Sequence, residues 1–185
     1  RQGQACYTGD GPAREDSVID EAFPCDGGCT CGHVRYQVSS KPMIVHCCHC
    51  SWCQRQSGSA FAVNALVEAD RVKLVAGDVE EIDVASPSGK GQTIARCPKC
   101  RVAMWSNYFM GGLKERIRFI RVGSLDNPDL MPPDVHIFTS SKQDWVILPP
   151  DDPYAEVFYD VATTWSPDSL RRLDALEAET GGEIT

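Results

Sequence analysis

No stretch of this sequence is long and apolar enough to cross a membrane. The longest apolar run, from Ala60 to Val67, is broken by Asn64, whereas a spanning helix needs about 18 apolar residues. The sequence also lacks an Asn-x-Ser/Thr sequon, and no basic segment precedes a hydrophobic one, as it would in an exported chain. We therefore expect a cytoplasmic protein without a membrane partner.

Basic residues are scarce relative to acidic ones. Eighteen lysines and arginines stand against 26 aspartates and glutamates, which gives a net charge of −8. A surface of that sign repels polyanions. Nucleic acid is therefore excluded as a natural partner, and small molecules or other proteins are expected instead.

Internal repeats and low-complexity segments are also missing. A chain of 185 residues favours one domain, with a core large enough to fold without disulfides. Residues 1–24 are polar and turn-rich and are interpreted as an N-terminal extension. We predict the folded domain over residues 25–160 and a C-terminal helical extension over residues 161–185. The sequence leaves the oligomeric state open, including a homo-oligomer.

Long helical crossovers between strands are absent as well. Short segments with strand patterns are separated mostly by turns, whereas a parallel sheet needs connections of about a dozen residues or more. The segments are 33–38, 60–63, 71–75, 81–84, 93–96, 117–122 and 135–139. The sequence therefore predicts a mainly β fold with antiparallel sheets.

Two helices are predicted beside the strands. A short one follows Cys50 and runs through Gln56. A longer one begins at Pro167 and ends at about Glu179, with Ser166 as N-cap, proline at the first helical position and three leucines on one face.

Cysteine, in contrast, is abundant, with ten residues. This falls short of the roughly 8–10% typical of a small disulfide scaffold but exceeds the needs of packing. Seven of the ten fall into three tight groups: Cys29 with Cys31; Cys48, Cys50 and Cys53; and Cys97 with Cys100. In a cytoplasmic protein such groups are more typical of metal sites than of disulfides.

The number of ligands divides these groups further. The two pairs supply four thiolates, enough to close a tetrahedral zinc site, and we call them the four-cysteine group. The triplet, Cys48, Cys50 and Cys53, supplies three and leaves one coordination position open for water or substrate. We interpret the first as structural and the second as catalytic. The alternative is a single zinc held by any four cysteines, with the others packed as small apolar residues.

Three cysteines have no place in this division. Cys25 lies near the first pair and is an alternative ligand there. Cys47 would point away from a metal held by Cys48, so we expect it to pack in the core. Cys6 is expected to be free.

The charge of an open three-thiolate zinc site indicates its chemistry. Zinc with three thiolates has a net charge of −1, which makes it a weaker Lewis acid than a zinc held by three imidazoles. Holding a further thiol as thiolate suits such a site better. The bound sulfur could then attack an aldehyde, and the reverse reaction would cleave a carbon–sulfur bond.

The residues around the cysteines resemble those of the glutathione-dependent formaldehyde-activating enzymes, a group that includes centromere protein V. The resemblance runs from about residue 25 to 150 in the same order and spacing. The matching segments are 27–36, 48–61, 97–100, 122–126 and 133–138, followed by Lys142 and Trp145. One departure is Arg101, where the family usually has glycine.

The resemblance implies a β-tent fold and two zinc ions per chain. The implied ligands of a structural zinc are Cys29, Cys31, Cys97 and Cys100, and those of a more labile catalytic zinc are Cys48, Cys50 and Cys53. The implied activity is the addition of glutathione's thiol to formaldehyde, which is classed as a carbon–sulfur lyase reaction in reverse. Two alternatives stay open: the same zinc site acting on another electrophilic metabolite, and a non-catalytic, zinc-stabilised module that binds protein.

An acidic protein needs a local positive patch to bind anionic glutathione. Arg55, next to the triplet, is the first candidate, and Arg35, Arg101 and Lys142 follow it. Ser57 begins a Ser-Gly-Ser turn that either offers backbone N–H groups to an anion or simply ends the short helix.

Three further side chains are candidates for a role at the triplet. Trp52 either packs over the metal or offers a stacking face to substrate. His136 is either a half-buried histidine with its hydrogen bonds satisfied or an acid or base at the pocket rim. His49 could serve as a fourth ligand or a proton carrier, although its ring is expected to project outward.

Overall fold

The computed structural model of the protein describes residues 22–86, 88–108 and 112–179. These residues form ten β-strands and three α-helices. The strands are β1 (Cys25–Gly28), β2 (Arg35–Val38), β3 (Ile44–Cys48), β4 (Ala62–Glu68), β5 (Val72–Ala76), β6 (Glu80–Val84), β7 (Gln92–Arg96), β8 (Ala103–Tyr108), β9 (Ile117–Arg121) and β10 (Val135–Ile137). The helices are α1 (Ser51–Ser57), α2 (Val161–Thr164) and α3 (Pro167–Glu179). The N-terminal residues 1–21, with Cys6, lie outside the described part.

The strands form two sheets. The smaller has the order β1-β2-β5, and the larger has the order β10-β3-β4-β9-β8-β7-β6. Neighbouring strands are antiparallel, except that β10 runs parallel to β3. The prediction of a mainly β fold is confirmed.

Both predicted helices are present. Helix α1 begins directly after Cys50, and α3 begins at Pro167 with the Ser166 hydroxyl accepting a hydrogen bond from the Ser169 backbone N–H at 3.1 Å. Strands β1, β3 and β8 were not predicted. Strand β1 contains two glycines, which hide its alternation of buried and exposed positions in the sequence. All five residues of β3 are buried, so that strand lacks the alternation of a half-buried strand.

The packed residues form two cores. The first lies between the two sheets and includes the fully buried Val34, Tyr36 and Val38, together with Cys29 and Cys97. The second lies on the other side of the large sheet and includes Leu66, Ile117, Trp165 and Cys48, with Cys50 and Cys53 packed against it. The four-cysteine group and the triplet therefore lie at different cores.

The C-terminal segment covers the second core. The Trp165 indole N–H donates to the Tyr159 hydroxyl at 2.8 Å, and that hydroxyl lies 2.5 Å from Nε2 of His46 on β3. Burial lowers the pKa of His46 to about 4, so the imidazole is neutral at pH 7 and shares a hydrogen bond with the tyrosine hydroxyl. The segment is thus joined to the sheet face on which the triplet begins. The predicted domain boundaries stay a prediction.

An ion pair fastens α3 to the large sheet. The Arg172 guanidinium donates to both carboxylate oxygens of Glu68 on β4, at 2.6 and 2.5 Å, and to the Lys41 carbonyl at 3.1 Å. The two side chains are only 11% and 5% exposed. Among the described residues, no helix has the length and apolar character needed to cross a membrane.

Removing the Arg172 guanidinium tests this attachment. We expect Arg172→Met to lower the free energy of unfolding by about 3 kcal/mol, because it leaves a buried carboxylate without its main partner. Urea unfolding at pH 7 measures the change. Arg171→Met is the matched control, since the Arg171 side chain is 70% exposed and surface pairs contribute about 0–1 kcal/mol. Equal stability of the two variants would show that the pair does not hold the helix.

Candidate metal centres

The four-cysteine group brings together two turns that are distant in sequence. Cys29 and Cys31 follow β1, and Cys97 and Cys100 follow β7. Their sulfur atoms all lie within 4.8 Å of one another, with Sγ of Cys31 at 3.5 Å from that of Cys29 and 3.7 Å from that of Cys97. Thiolates on a tetrahedral zinc lie about 3.8 Å apart. The sulfurs therefore fit such an ion.

Backbone N–H groups support sulfur anions in this group. The Val34 N–H points at Sγ of Cys29 at 3.2 Å, and the Cys100 N–H points at Sγ of Cys97 at 3.5 Å. Burial alone would raise the pKa of Cys29, but the Val34 N–H and the neighbouring sulfurs outweigh it and lower the pKa to about 6. Cys25 lies in the first core outside the group, and burial and then Asp26 raise its pKa to about 11.

Arg101 follows this group in a left-handed backbone conformation, with φ of +65°. This region favours glycine, because a Cβ atom there meets the backbone. The usual glycine of the family pattern therefore has a conformational reason, and this chain tolerates a larger residue at the same position. The Arg101 guanidinium forms an ion pair with Glu80.

The triplet lies where β3 meets α1. Cys48 is the last residue of β3, Cys50 is the N-cap of α1, and Cys53 lies in its first turn. The Cys53 backbone N–H donates to Sγ of Cys50 at 3.3 Å, and the three sulfurs lie within 4.8 Å of one another. Hydrogen bonds with Cys48 and Cys53 hold the pKa of Cys50 far below its usual range. This geometry favours at least one thiolate even without a metal.

The donor set of the triplet is incomplete for a closed tetrahedral site. Among the described residues, no fourth cysteine, histidine, aspartate or glutamate joins it. Thiolate donors suit zinc, and three of them leave one position for another ligand. The two cysteine groups could therefore form two different kinds of metal site: a closed site with four thiolates and an open site with three.

A third cluster, Cys47, His49 and His136, was not predicted as a unit. Its ligand atoms also lie within 4.8 Å of one another, and all three residues are buried. Nε2 of His49 lies 2.9 Å from Nδ1 of His136 and 3.6 Å from Sγ of Cys47. Two nitrogen ligands of a tetrahedral zinc would be about 3.3 Å apart, so the shorter separation favours a direct N–H···N hydrogen bond over a metal between the rings.

The partners of His136 agree with that interpretation. Its Nε2 lies 3.3 Å from a carboxylate oxygen of Asp152, which leaves Nδ1 to accept from Nε2–H of His49. Burial, and then the charges of His136 and Lys142, lower the pKa of His49. Strand alternation puts Cys47 and its β10 neighbour His136 on the opposite face of the sheet from Cys48. His136 as a substrate contact stays a prediction, and the structure brings it to Cys47 and His49 rather than to the triplet.

The other predicted substrate contacts lie on or after α1. Arg55 is exposed and lines an open groove with Gln143 and Trp145. Trp52 is 37% exposed. The Ser57 hydroxyl donates to the Cys53 carbonyl at 2.8 Å, and Gly58 follows as a left-handed C-cap, which matches the alternative in which this turn ends the helix.

Of the other basic candidates, two have acidic partners elsewhere. Arg35 pairs with Asp126 and Arg101 with Glu80, both at the surface. Arg121 on β9 was not among the predicted site residues. Although hydrogen bonding with Cys48 and, more weakly, the charge of Arg121 lower the pKa of Cys53, the effects of Cys50 and of burial outweigh them and raise it to about 11. The sequence does not distinguish Arg121 from Arg118 on the same strand, because only the register of the sheet shows which of the two faces the triplet.

The sequence is similar to known proteins over much of its length. Residues 24–141 match the family model described as glutathione-dependent formaldehyde-activating enzyme. A protein of Halomonas elongata, provisionally named a glutathione-dependent formaldehyde-activating enzyme, is 29% identical over 126 residues, which are 65% of this chain and 78% of that protein. A Rhodobacter sphaeroides protein of known crystal structure is 18% identical, over 58% of this chain and 96% of that chain, with a TM-score of 0.42.

The four-cysteine group can be tested through folding. We expect Cys97→Ala to lose one bound metal ion and to unfold in large part, because metal binding and folding are coupled at closed sites. Metal analysis and circular dichroism of the purified variant measure both effects. Cys25→Ala is the matched control, since Cys25 is 6% exposed in the same core. If the two variants kept the same metal content and the same stability, the group would not be a metal site.

Proposed function

The chain belongs to the family of glutathione-dependent formaldehyde-activating enzymes, and on that premise we propose that it joins a glutathione-like thiol to a small aldehyde such as formaldehyde. The reverse reaction, cleavage of a carbon–sulfur bond, would make it a lyase. Its reaction would occur at the triplet of Cys48, Cys50 and Cys53, and the four-cysteine group would be structural.

Two zinc ions per chain belong to this proposal. Cys29, Cys31, Cys97 and Cys100 would hold one in a closed site, and the triplet would hold the other with one position open. When bound at the triplet, zinc would supply a positive centre that favours the thiolate form of a substrate sulfur or polarises an aldehyde oxygen. The observation that carries the proposal is the triplet's geometry: three sulfurs within 4.8 Å and no fourth protein donor among the described residues.

The reaction itself balances without a further reactant. The thiol loses its proton, its sulfur forms a bond to the carbonyl carbon, and the carbonyl oxygen takes up a proton to become a hydroxyl group. The protein's contribution is to hold the sulfur and the aldehyde in contact and to stabilise the thiolate.

Residues of α1 would bind the rest of the thiol compound. Arg55 faces the groove shared with Gln143 and Trp145, where its guanidinium can meet a carboxylate of a glutathione-like molecule in a bidentate contact. Trp52, on the same helix, presents a partly exposed ring. Ser57 would keep Cys53 in place through its hydrogen bond to the Cys53 carbonyl.

Exchange measurements can test the activity directly. With glutathione and ¹³C-formaldehyde, we expect the wild-type protein to accelerate formation and breakdown of the S-hydroxymethyl adduct, as followed by exchange NMR. We expect Cys53→Ser to reduce the rate to the uncatalysed level while circular dichroism stays unchanged, because serine has nearly the size of cysteine and Cys53 lies at the margin of the second core.

Cys47→Ala is the matched control for this experiment. Cys47 is 2% exposed and lies next to the triplet in sequence, but it is outside the proposed ligand set, so this variant should keep most of the activity. Full activity of Cys53→Ser, or no acceleration by the wild-type protein with any thiol and aldehyde pair, would overturn the proposed function.

A further inference from the structure

The face of the large sheet beneath the triplet has a cation built into it. Strand register puts His46, Asn64 and Arg121 opposite one another on β3, β4 and β9, and residues paired in this way share one face. Cys48 lies two positions beyond His46 and therefore on the same face. Arg121 therefore lies on the face of the large sheet that carries Cys48, two strands away from β3.

Two amides hold the Arg121 guanidinium in place. It donates to the Asn64 side-chain oxygen and, at 3.0 Å, to that of Gln56 on α1. The Asn64 amide nitrogen donates to the Ala62 carbonyl at 3.2 Å, which turns its oxygen toward the guanidinium. The side chain therefore bridges the sheet and the helix that carries Cys53.

Six other arginines of the described residues have carboxylate partners. The pairs are Arg35 with Asp126, Arg71 and Arg172 with Glu68, Arg101 with Glu80, Arg116 with Glu179, and Arg171 with Asp168. Arg118 instead places its guanidinium 4.7 Å from the centre of the Trp105 ring. The oxygen atoms that accept hydrogen bonds from Arg121 belong to the neutral amides of Asn64 and Gln56. Burial lowers the pKa of Arg121, and the sulfurs of Cys53 and Cys48 oppose that effect.

A guanidinium stays charged in a protein, and a charge removed from water needs an opposite charge nearby. We propose that Arg121 is the counter-ion of the triplet and that it favours binding of an anionic substrate sulfur there. The proposal rests on the proposed function and adds to it the charge that the substrate must have at the reacting atom.

The net charge of a metal-loaded triplet gives a reason for a cation such as Arg121 nearby. A divalent metal with three thiolates has a net charge of −1. A fourth thiolate would make the net charge −2, in a site partly removed from water. With Arg121 the cluster is neutral before the fourth sulfur binds and has a charge of −1 afterwards. The acidic protein as a whole, at −8, offers no such compensation.

Cobalt(II) loaded into the metal-depleted triplet provides a direct readout, because a fourth thiolate changes the intensity and position of the sulfur-to-cobalt absorption that the three cysteines already give. Titration with 2-mercaptoethanol gives the dissociation constant of the thiol, and the uncharged tail of this probe avoids contacts with Arg55. We expect Arg121→Gln to weaken thiol binding about tenfold or more, which is the scale of losing one close charge partner. Arg121→Lys, which keeps the charge, should stay within about threefold of wild type.

Two further variants complete the test. Arg118→Gln is the matched control on the same strand and should leave the dissociation constant unchanged. Gln56→Glu keeps Arg121 but gives it a carboxylate partner, so it should also weaken thiol binding, and it tests the proposal if Arg121→Gln fails to fold.

The outcomes separate this proposal from the proposed function. If the wild-type protein binds no thiol, the function fails and Arg121 has no such role. If the wild-type protein binds thiol and both Arg121→Gln and Gln56→Glu bind it equally well, the function stands and the counter-ion proposal is overturned. If Arg121→Lys is as weak as Arg121→Gln, the residue acts by shape rather than by charge, which also overturns it.

Discussion

Sulfur atoms that are 66 residues apart in sequence, on Cys31 and Cys97, lie 3.7 Å apart, and this convergence constrains how the two sheets meet. The turn after β1 and the turn after β7 must therefore lie directly against each other beside the first core. Gly27 makes the approach feasible, because a Cβ atom there would lie 2.6 Å from the Tyr36 ring and 2.8 Å from the Ser124 carbonyl oxygen. The Tyr36 hydroxyl then bonds the Ser124 hydroxyl at 2.7 Å.

The cysteines of the second core come together in a different way from those of the first core. Those of the second core come from one short segment, in which a strand ends and a helix begins, so they need no long-range convergence to meet. Long-range contacts instead supply the surroundings: β9 contributes Arg121, and the C-terminal segment contributes Tyr159 and Trp165. This division suits a site whose metal binds and leaves while the first core keeps the sheets together.

Local sequence patterns predicted the features that depend on local chemistry. Cysteine spacing gave the two groups, and capping residues gave α3 with its observed first residue. Strand β3 was not predicted because it is buried on both faces, and of its residues only Cys48 was assigned to a metal group, while Cys47 was expected to pack in the core. The hydrogen bond between His49 and His136 and the position of Arg121 depend on strand order in the large sheet, and that order is not encoded in any single segment.

The charge balance connects the composition to the site. An acidic chain was expected to gather basic residues near an open metal, with Arg55 first among them. The structure has Arg55 at an outer groove along α1 and Arg121 on the sheet face that carries Cys48, hydrogen-bonded to Gln56 of α1, so the two arginines can act on different parts of one anionic molecule. The abundant cysteines supply the two candidate metal sites. Because basic residues are few, the position of each arginine near the triplet matters for the charge of that site.

Native mass spectrometry during stepwise treatment with a chelator tests the central claim, that the two cysteine groups form two different metal sites, one closed and one open. We expect two zinc ions per chain, of which one leaves first while circular dichroism stays unchanged, and a second that leaves only as the protein unfolds. A single zinc ion, a third one at Cys47, His49 and His136, or loss of both ions in one step with unfolding would contradict it.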